Sequence, residues 1–139
     1  MAVSASMRRR VIVRAGNRCE YCGLSQSGQA ATFHVDHIMP VVAGGVTELA
    51  NLALACINCS LRKGARQSAH DAVTGRAVRL FRPREQKWNL HFRWKGCEVA
   101  GITAVGRATV DALAINSAEN QIIRSFESIL GRHPPPGHF

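Results

Sequence analysis

The chain has 139 residues, 46% of them apolar and 19% charged, a balance that fits one folded domain and excludes a wholly disordered chain. Eighteen Lys and Arg against nine Asp and Glu leave a net charge of +9, so an acidic partner such as nucleic acid is the leading inference. No apolar run approaches the roughly 18 residues of a membrane span, and Val11-Ile12-Val13 between Arg10 and Arg14 is too short for the core of a secretory signal, so a soluble cytoplasmic protein is expected.

In chain order, the first predicted element is a helix with Arg8, Arg9, Arg10 and Arg14 toward solvent, Met7, Val11 and Ala15 inward, and Gly16 at its end. Next come two knuckles, Cys19-x2-Cys22 and Cys56-x2-Cys59. A reducing compartment keeps thiols free, and two residues between cysteines let a tight turn aim both sulfurs at one tetrahedral ion. A structural zinc site at Cys19, Cys22, Cys56 and Cys59 is expected, the bland alternative being four buried thiols. Cys97 has no partner pair and reads as a small apolar residue in a strand.

Between the knuckles, Thr32 to Asp36 is β-compatible, with Phe33 and Val35 on one face and His34 and Asp36 on the other. His37 follows, and a loop opens through Val41-Val42-Ala43-Gly44-Gly45. A carboxylate can anchor a hard divalent cation while an adjacent imidazole takes a proton from water near neutral pH, so Asp36 and His37 together suit phosphodiester hydrolysis. Either residue alone would be an ordinary surface residue. Leu52-Ala53-Leu54-Ala55 reads as a second strand, and Arg62, Lys63 and Arg66 follow the last knuckle on a helix within reach of backbone phosphates. A solvated helix face is the other reading of that cluster.

Residues 76–95 interleave seven basic residues, among them Arg82 and Arg84, with Phe81, Trp88, Phe92 and Trp94. They form either an arm on which unpaired bases stack or a small second core. A turn is expected at Thr74-Gly75 and a hairpin across Lys95-Gly96. Thr103 to Ile115 reads as a helix capped by Thr103. A second helix, with capping-box spacing at Asn116 and Glu119, carries an apolar stripe of Ile122, Ile123, Phe126, Ile129 and Leu130 and ends at Gly131. Such a stripe packs within the domain or meets a partner. The segment from Arg132 onward has no periodicity and is expected to be mobile.

Taken together, Cys19-x2-Cys22, His34-Val35-Asp36-His37-Ile38-Met39-Pro40, Gly44-Gly45, Asn51-Leu52-Ala53-Leu54-Ala55, Cys56-x2-Cys59 and Lys63 resemble the HNH endonuclease family in its zinc-stapled form. The resemblance covers roughly residues 8 to 66. It implies an α+β chain: a small ββα-metal domain with a structural four-cysteine zinc site, followed by a short hairpin and C-terminal helices. By position, Asp36 resembles the family's metal anchor, His37 its general base and Asn51 the residue that steadies the loop carrying the base. The position after the last zinc cysteine is commonly His or Asn in the family and ligates the catalytic metal; here it is Ser60. A hydroxyl can bind magnesium but is a weaker donor than imidazole for softer metals. Either Ser60 still holds a magnesium or manganese ion, or the site is impaired. Asn58 is a nearby alternative oxygen donor with a more ordinary task in the zinc turn. His34 could touch the scissile phosphate, serve as an auxiliary ligand or be inert.

The expected function is metal-dependent DNA cleavage, with zinc as structural and magnesium or manganese as catalytic cofactor. The alternative is a catalytically impaired, zinc-stabilised nucleic-acid-binding module. DNA is the expected partner, approached through Arg8, Arg9, Arg10, Arg62, Lys63, Arg66, Arg82 and Arg84, with no membrane and a monomer or weak homodimer. The expected division is a nuclease core over 1–70, an extension over 71–131 packed on it, and a flexible tail over 132–139.

Overall fold

A computed structural model describes residues 2–137. Helix α1 (Ala5–Arg14) begins at Ser4, whose hydroxyl accepts the Met7 N–H at 3.1 Å, and it buries Val11 and Ala15. The chain then turns out through Gly16 and Asn17, both at positive φ. Strand β1 (His34–His37) pairs antiparallel with β2 (Leu52–Ala55), His34 opposite Ala55 and His37 opposite Leu52. The strand starts two residues later than the Thr32 expected, because the Phe33 N–H is taken by the Gln26 side chain at 2.7 Å instead of a neighbouring strand. All four residues of β2 are buried, with α1 and α2 (Ile57–Lys63) packed against the strand. This β1–β2–α2 unit carries the candidate site.

Two hairpins and two helices follow. Strands β3 (Ser68–His70) and β4 (Ala77–Arg79) flank a turn organised by Asp71. Its buried carboxylate accepts the Thr74 hydroxyl at 2.7 Å and a two-pronged Arg107 guanidinium at 2.8 and 3.0 Å, which pins the hairpin to α3 (Ala104–Ala112). That guanidinium holds the Asp71 carboxyl well below the usual carboxylate range. Strands β5 (Phe92–Lys95) and β6 (Glu98–Gly101) form the second hairpin, and Cys97 lies in its turn, not in a strand. α3 starts at its Thr103 cap as expected but stops at Ala112, because Ala114 takes a left-handed conformation that lets Leu113 and Ile115 both turn inward. α4 (Ala118–Ile129) is capped by Ser117, not Asn116. The Asn116 carboxamide is instead bonded to both the N–H and the carbonyl of Val99, at 2.8 Å each.

One hydrophobic cluster runs from Val11, Phe33, Leu52 and Leu54 through Phe81, Trp88 and Phe92 to Leu113 and Ile115. The aromatic residues of 76–95 therefore form core and not a stacking arm: Trp88 stacks on Phe92 and Trp94 at centroid distances of 5.0 and 4.7 Å, and its indole N–H donates to the Tyr21 carbonyl at 2.9 Å. The stripe on α4 faces outward. Ile122, Phe126, Ile129 and Leu130 are each more than half exposed, while Arg124 and Glu127 are buried. The reason lies beneath the helix, where the carbonyls of Cys97 and Ile115 need donors and Arg124 supplies both, at 2.7 and 2.5 Å. Glu127 in turn binds Arg132 at 2.8 Å. The segment expected to be a mobile tail begins with such contacts: the His133 ring meets Trp94 edge-on at 4.9 Å and Pro135 is buried. His138 and Phe139 lie outside the described residues. Among the described residues no helix is long and apolar enough to cross a membrane.

The hairpin β5–β6 and α3 touch backbone to backbone at Gly101 and Gly106, where a Cβ on the first would strike the Arg107 N–H and on the second the His91 carbonyl. Gly106→Ala is expected to destabilise the zinc-loaded protein by about 1–3 kcal/mol through overpacking. A denaturant melt beside the exposed control Ser128→Ala checks this.

Candidate metal cluster and active site

The four sulfurs of Cys19, Cys22, Cys56 and Cys59 lie within 4.8 Å of one another, all buried. Each knuckle is shaped by an N–H···S bond, from Cys22 to Cys19 at 3.5 Å and from Cys59 to Cys56 at 3.4 Å. Hydrogen bonds from Cys19, Cys56 and Cys59 hold the Cys22 thiol well below its ordinary value, whereas the bonds with Cys19 and Cys22, and then burial, push Cys56 and Cys59 upward. Thiolates packed this closely repel one another. A divalent cation at the centre reverses that opposition, and four sulfurs at this spacing are the donor set that zinc takes. The first knuckle is also stitched to β2: Glu20 N–H donates to the Leu54 carbonyl and Leu54 N–H to the Glu20 carboxylate, both at 2.8 Å.

Asp36 and His37 of β1 meet Ser60 of α2 around an open cleft of about 280 Å3 that Pro40, Val41 and Gly64 help to line. His37 is oriented from behind by Thr47, whose hydroxyl lies 2.8 Å from Nε2. Thr47 was not singled out in the sequence; its position two residues past the Gly44-Gly45 pair, where the loop returns toward β1, is the signal that could have found it. The loop is closed by Asn51, which accepts the Met39 N–H at 2.8 Å and donates to the carbonyls of Met39 and Val46 at 3.0 and 2.9 Å. Gly45 fits under this bridge because a Cβ there would strike the Met39 carbonyl. Ser60 Oγ lies 2.7 Å from Nδ1 of His34, an exposed residue on the same strand face as Asp36. Asn58 points elsewhere and donates to the Leu113 carbonyl at 3.0 Å, so it is no donor to the cleft.

The basic residues divide into two groups. Lys63, expected on a phosphate-facing surface, is 3% exposed and donates to the carbonyls of Ile38 and His37 at 3.1 and 3.4 Å, so it braces the end of β1. Burial lowers its pKa, with Asp36 opposing. Arg84 is turned inward onto the buried Glu20, Arg8 donates to the Phe33 carbonyl at 2.9 Å, and Arg14, on the expected solvent side of its helix, reaches the carbonyls of Leu49 and Leu52 at 2.8 and 2.6 Å. Arg82 is half-buried and pairs with Glu85 at 3.4 Å. Arg9, Arg10, Arg62 and Arg66 remain exposed.

A family model described as HNH endonuclease matches residues 19–66, about a third of the chain. No curated protein and no solved structure gives a match. The matched segment contains both knuckles, β1, β2, α2 and the cleft, and its four cysteines are placed to bind a metal.

The cluster predicts one zinc per chain and loss of cooperative unfolding on chelation, since structural zinc contributes about 10–16 kcal/mol of apparent binding energy in small folds. Cys56→Ser should abolish zinc retention and the cooperative transition, and Cys97→Ser should leave both intact. Metal analysis and thermal melts of the two variants decide it.

Proposed function

We propose that the chain is a metal-dependent DNA endonuclease that hydrolyses phosphodiester bonds in the cleft between β1 and α2. The observation that carries this reading is the convergence of a carboxylate, an imidazole and a hydroxyl, from Asp36, His37 and Ser60, on one open cleft within the segment that the HNH endonuclease model matches. Asp36 and Ser60 offer oxygen donors, which suit a hard cation such as magnesium or manganese. When bound, that ion supplies stabilisation of the charge that develops on the phosphate oxygens.

The protein residues have separable tasks. Thr47 engages Nε2 of His37 and leaves Nδ1 to take the proton of the attacking water. The His34 ring holds the Ser60 hydroxyl at 2.7 Å, and in the tautomer with Nδ1 unprotonated it accepts the hydroxyl proton and frees the oxygen lone pairs for a cation. Asn51 and Lys63 brace the chain just after the base, at Met39 and Ile38. Arg9, Arg10, Arg62 and Arg66 are among the exposed cations available to DNA phosphates. The second reading, a nucleic-acid-binding module with impaired catalysis, is favoured by one feature, the neutral hydroxyl that Ser60 presents.

Supercoiled plasmid with magnesium or manganese distinguishes the two. Nicking or linearisation is expected, with His37→Ala slower by about 10²- to 10⁴-fold; an intact plasmid that is nevertheless shifted in a gel would establish the second reading.

A further inference from the structure

A second concavity, of about 480 Å3, opens where α1, the first knuckle and residues 81–89 meet. It shares no lining residue with the cleft of Asp36 and His37. Three cations, Arg14, Arg84 and Lys87, line it against one carboxylate, Glu20. That carboxylate is already committed, one oxygen to the Leu54 N–H at 2.8 Å and the other to Arg84. Arg14 gives two of its five N–H donors to carbonyls, which leaves its charge unneutralised.

Arg84 is left incomplete. Its Nε–H is buried and has no acceptor among the described residues. Burial, and then the neighbouring charge of Arg14, bring its pKa down to about 10. Two guanidiniums and an ammonium against one committed carboxylate leave this wall positive, and an oxyanion would neutralise it. The remainder of the wall is of another kind. Pro83 and Trp88 are apolar, and Gln86 accepts the Arg82 N–H at 2.9 Å through its carbonyl oxygen, so its amide hydrogens stay available. The volume is in the range of small-ligand pockets and far below what a duplex needs.

We propose that this cleft binds one nucleotide by its terminal phosphate, gripped by Arg84, Arg14 and Lys87, with the nucleoside against Pro83, Trp88 and the Gln86 amide. The ligand chemistry is a nucleoside 5′-monophosphate, free or at the end of a DNA strand. The site stands whether or not the Asp36–His37 cleft cuts DNA.

Zinc-loaded full-length protein without added magnesium tests it by calorimetry and fluorescence anisotropy. The probes are dAMP, deoxyadenosine, inorganic phosphate, and short single strands bearing a 5′-phosphate or a 5′-hydroxyl. dAMP should bind at least about tenfold more tightly than deoxyadenosine or phosphate alone. Lys87→Gln, and Arg84→Lys, which keeps a cation on Glu20 but loses the fork, should each weaken dAMP severalfold without lowering the melting temperature. Arg93→Gln, the same charge removed from an exposed strand position, should not. Preference for the 5′-phosphorylated strand over its 5′-hydroxyl twin assigns the site to strand ends; dAMP binding without that preference assigns it to the free nucleotide, and both sustain the proposal. Equal binding of deoxyadenosine and dAMP overturns it. So does equal binding of phosphate alone, or a loss in Arg93→Gln as large as in Lys87→Gln.

Discussion

Crowding four thiols into a dry space less than 4.8 Å across is unfavourable unless a cation neutralises them, and the geometry of residues 19–66 follows from that requirement. Cys19 and Cys22 belong to the segment leaving α1, and Cys56 and Cys59 to the junction of β2 with α2. Bringing them together closes a loop of more than thirty residues, an entropic cost that a two-stranded sheet of four residues per strand is too small to offset by itself. The loop so closed contains β1, the Gly44-Gly45 turn and Asn51. Its interior bonds, from Asn51 to Met39 and Val46 and from Lys63 to Ile38, trim a conformation whose two ends the cluster has already set.

What was legible in the sequence was local. Cysteine spacing, the run from His34 to His37, the Thr103 cap and the glycine turns each depend on residues a few positions apart, and all appear near their expected places. What was not legible depends on partners brought from a distance. Arg124 turns inward because tertiary folding places two carbonyls beneath α4, and helical periodicity cannot register a carbonyl from another element. Asn116 and Ser117 were both competent caps; Val99, seventeen residues earlier, claimed the first. Lys63 reads as a surface cation until the end of β1 supplies two acceptors. Thr47 carries no motif of its own and acquires meaning only when the loop returns to His37.

The net charge of +9 also takes on a different meaning. Arg8, Arg14 and Arg124 serve backbone carbonyls, and Arg84, Arg107 and Arg132 serve carboxylates, so much of the basic content acts inside the fold. Guanidinium suits this use because its planar fork can satisfy two acceptors at once. Bonds to carbonyls leave those charges in place and fix where they sit, and a tetrathiolate zinc would subtract about two charges from the total.

Cys59 and Ser60 are consecutive residues. The sulfur that completes the cluster and the hydroxyl that lines the cleft hang from α-carbons joined by one rigid peptide plane, about 3.8 Å apart. The place of the cluster thereby constrains the place of the hydroxyl, with one peptide plane and two short side chains between them and no loop to absorb error. The cluster works as a gauge block: the fold measures the position of its chemistry from an inorganic standard, not from the softer packing of a small core.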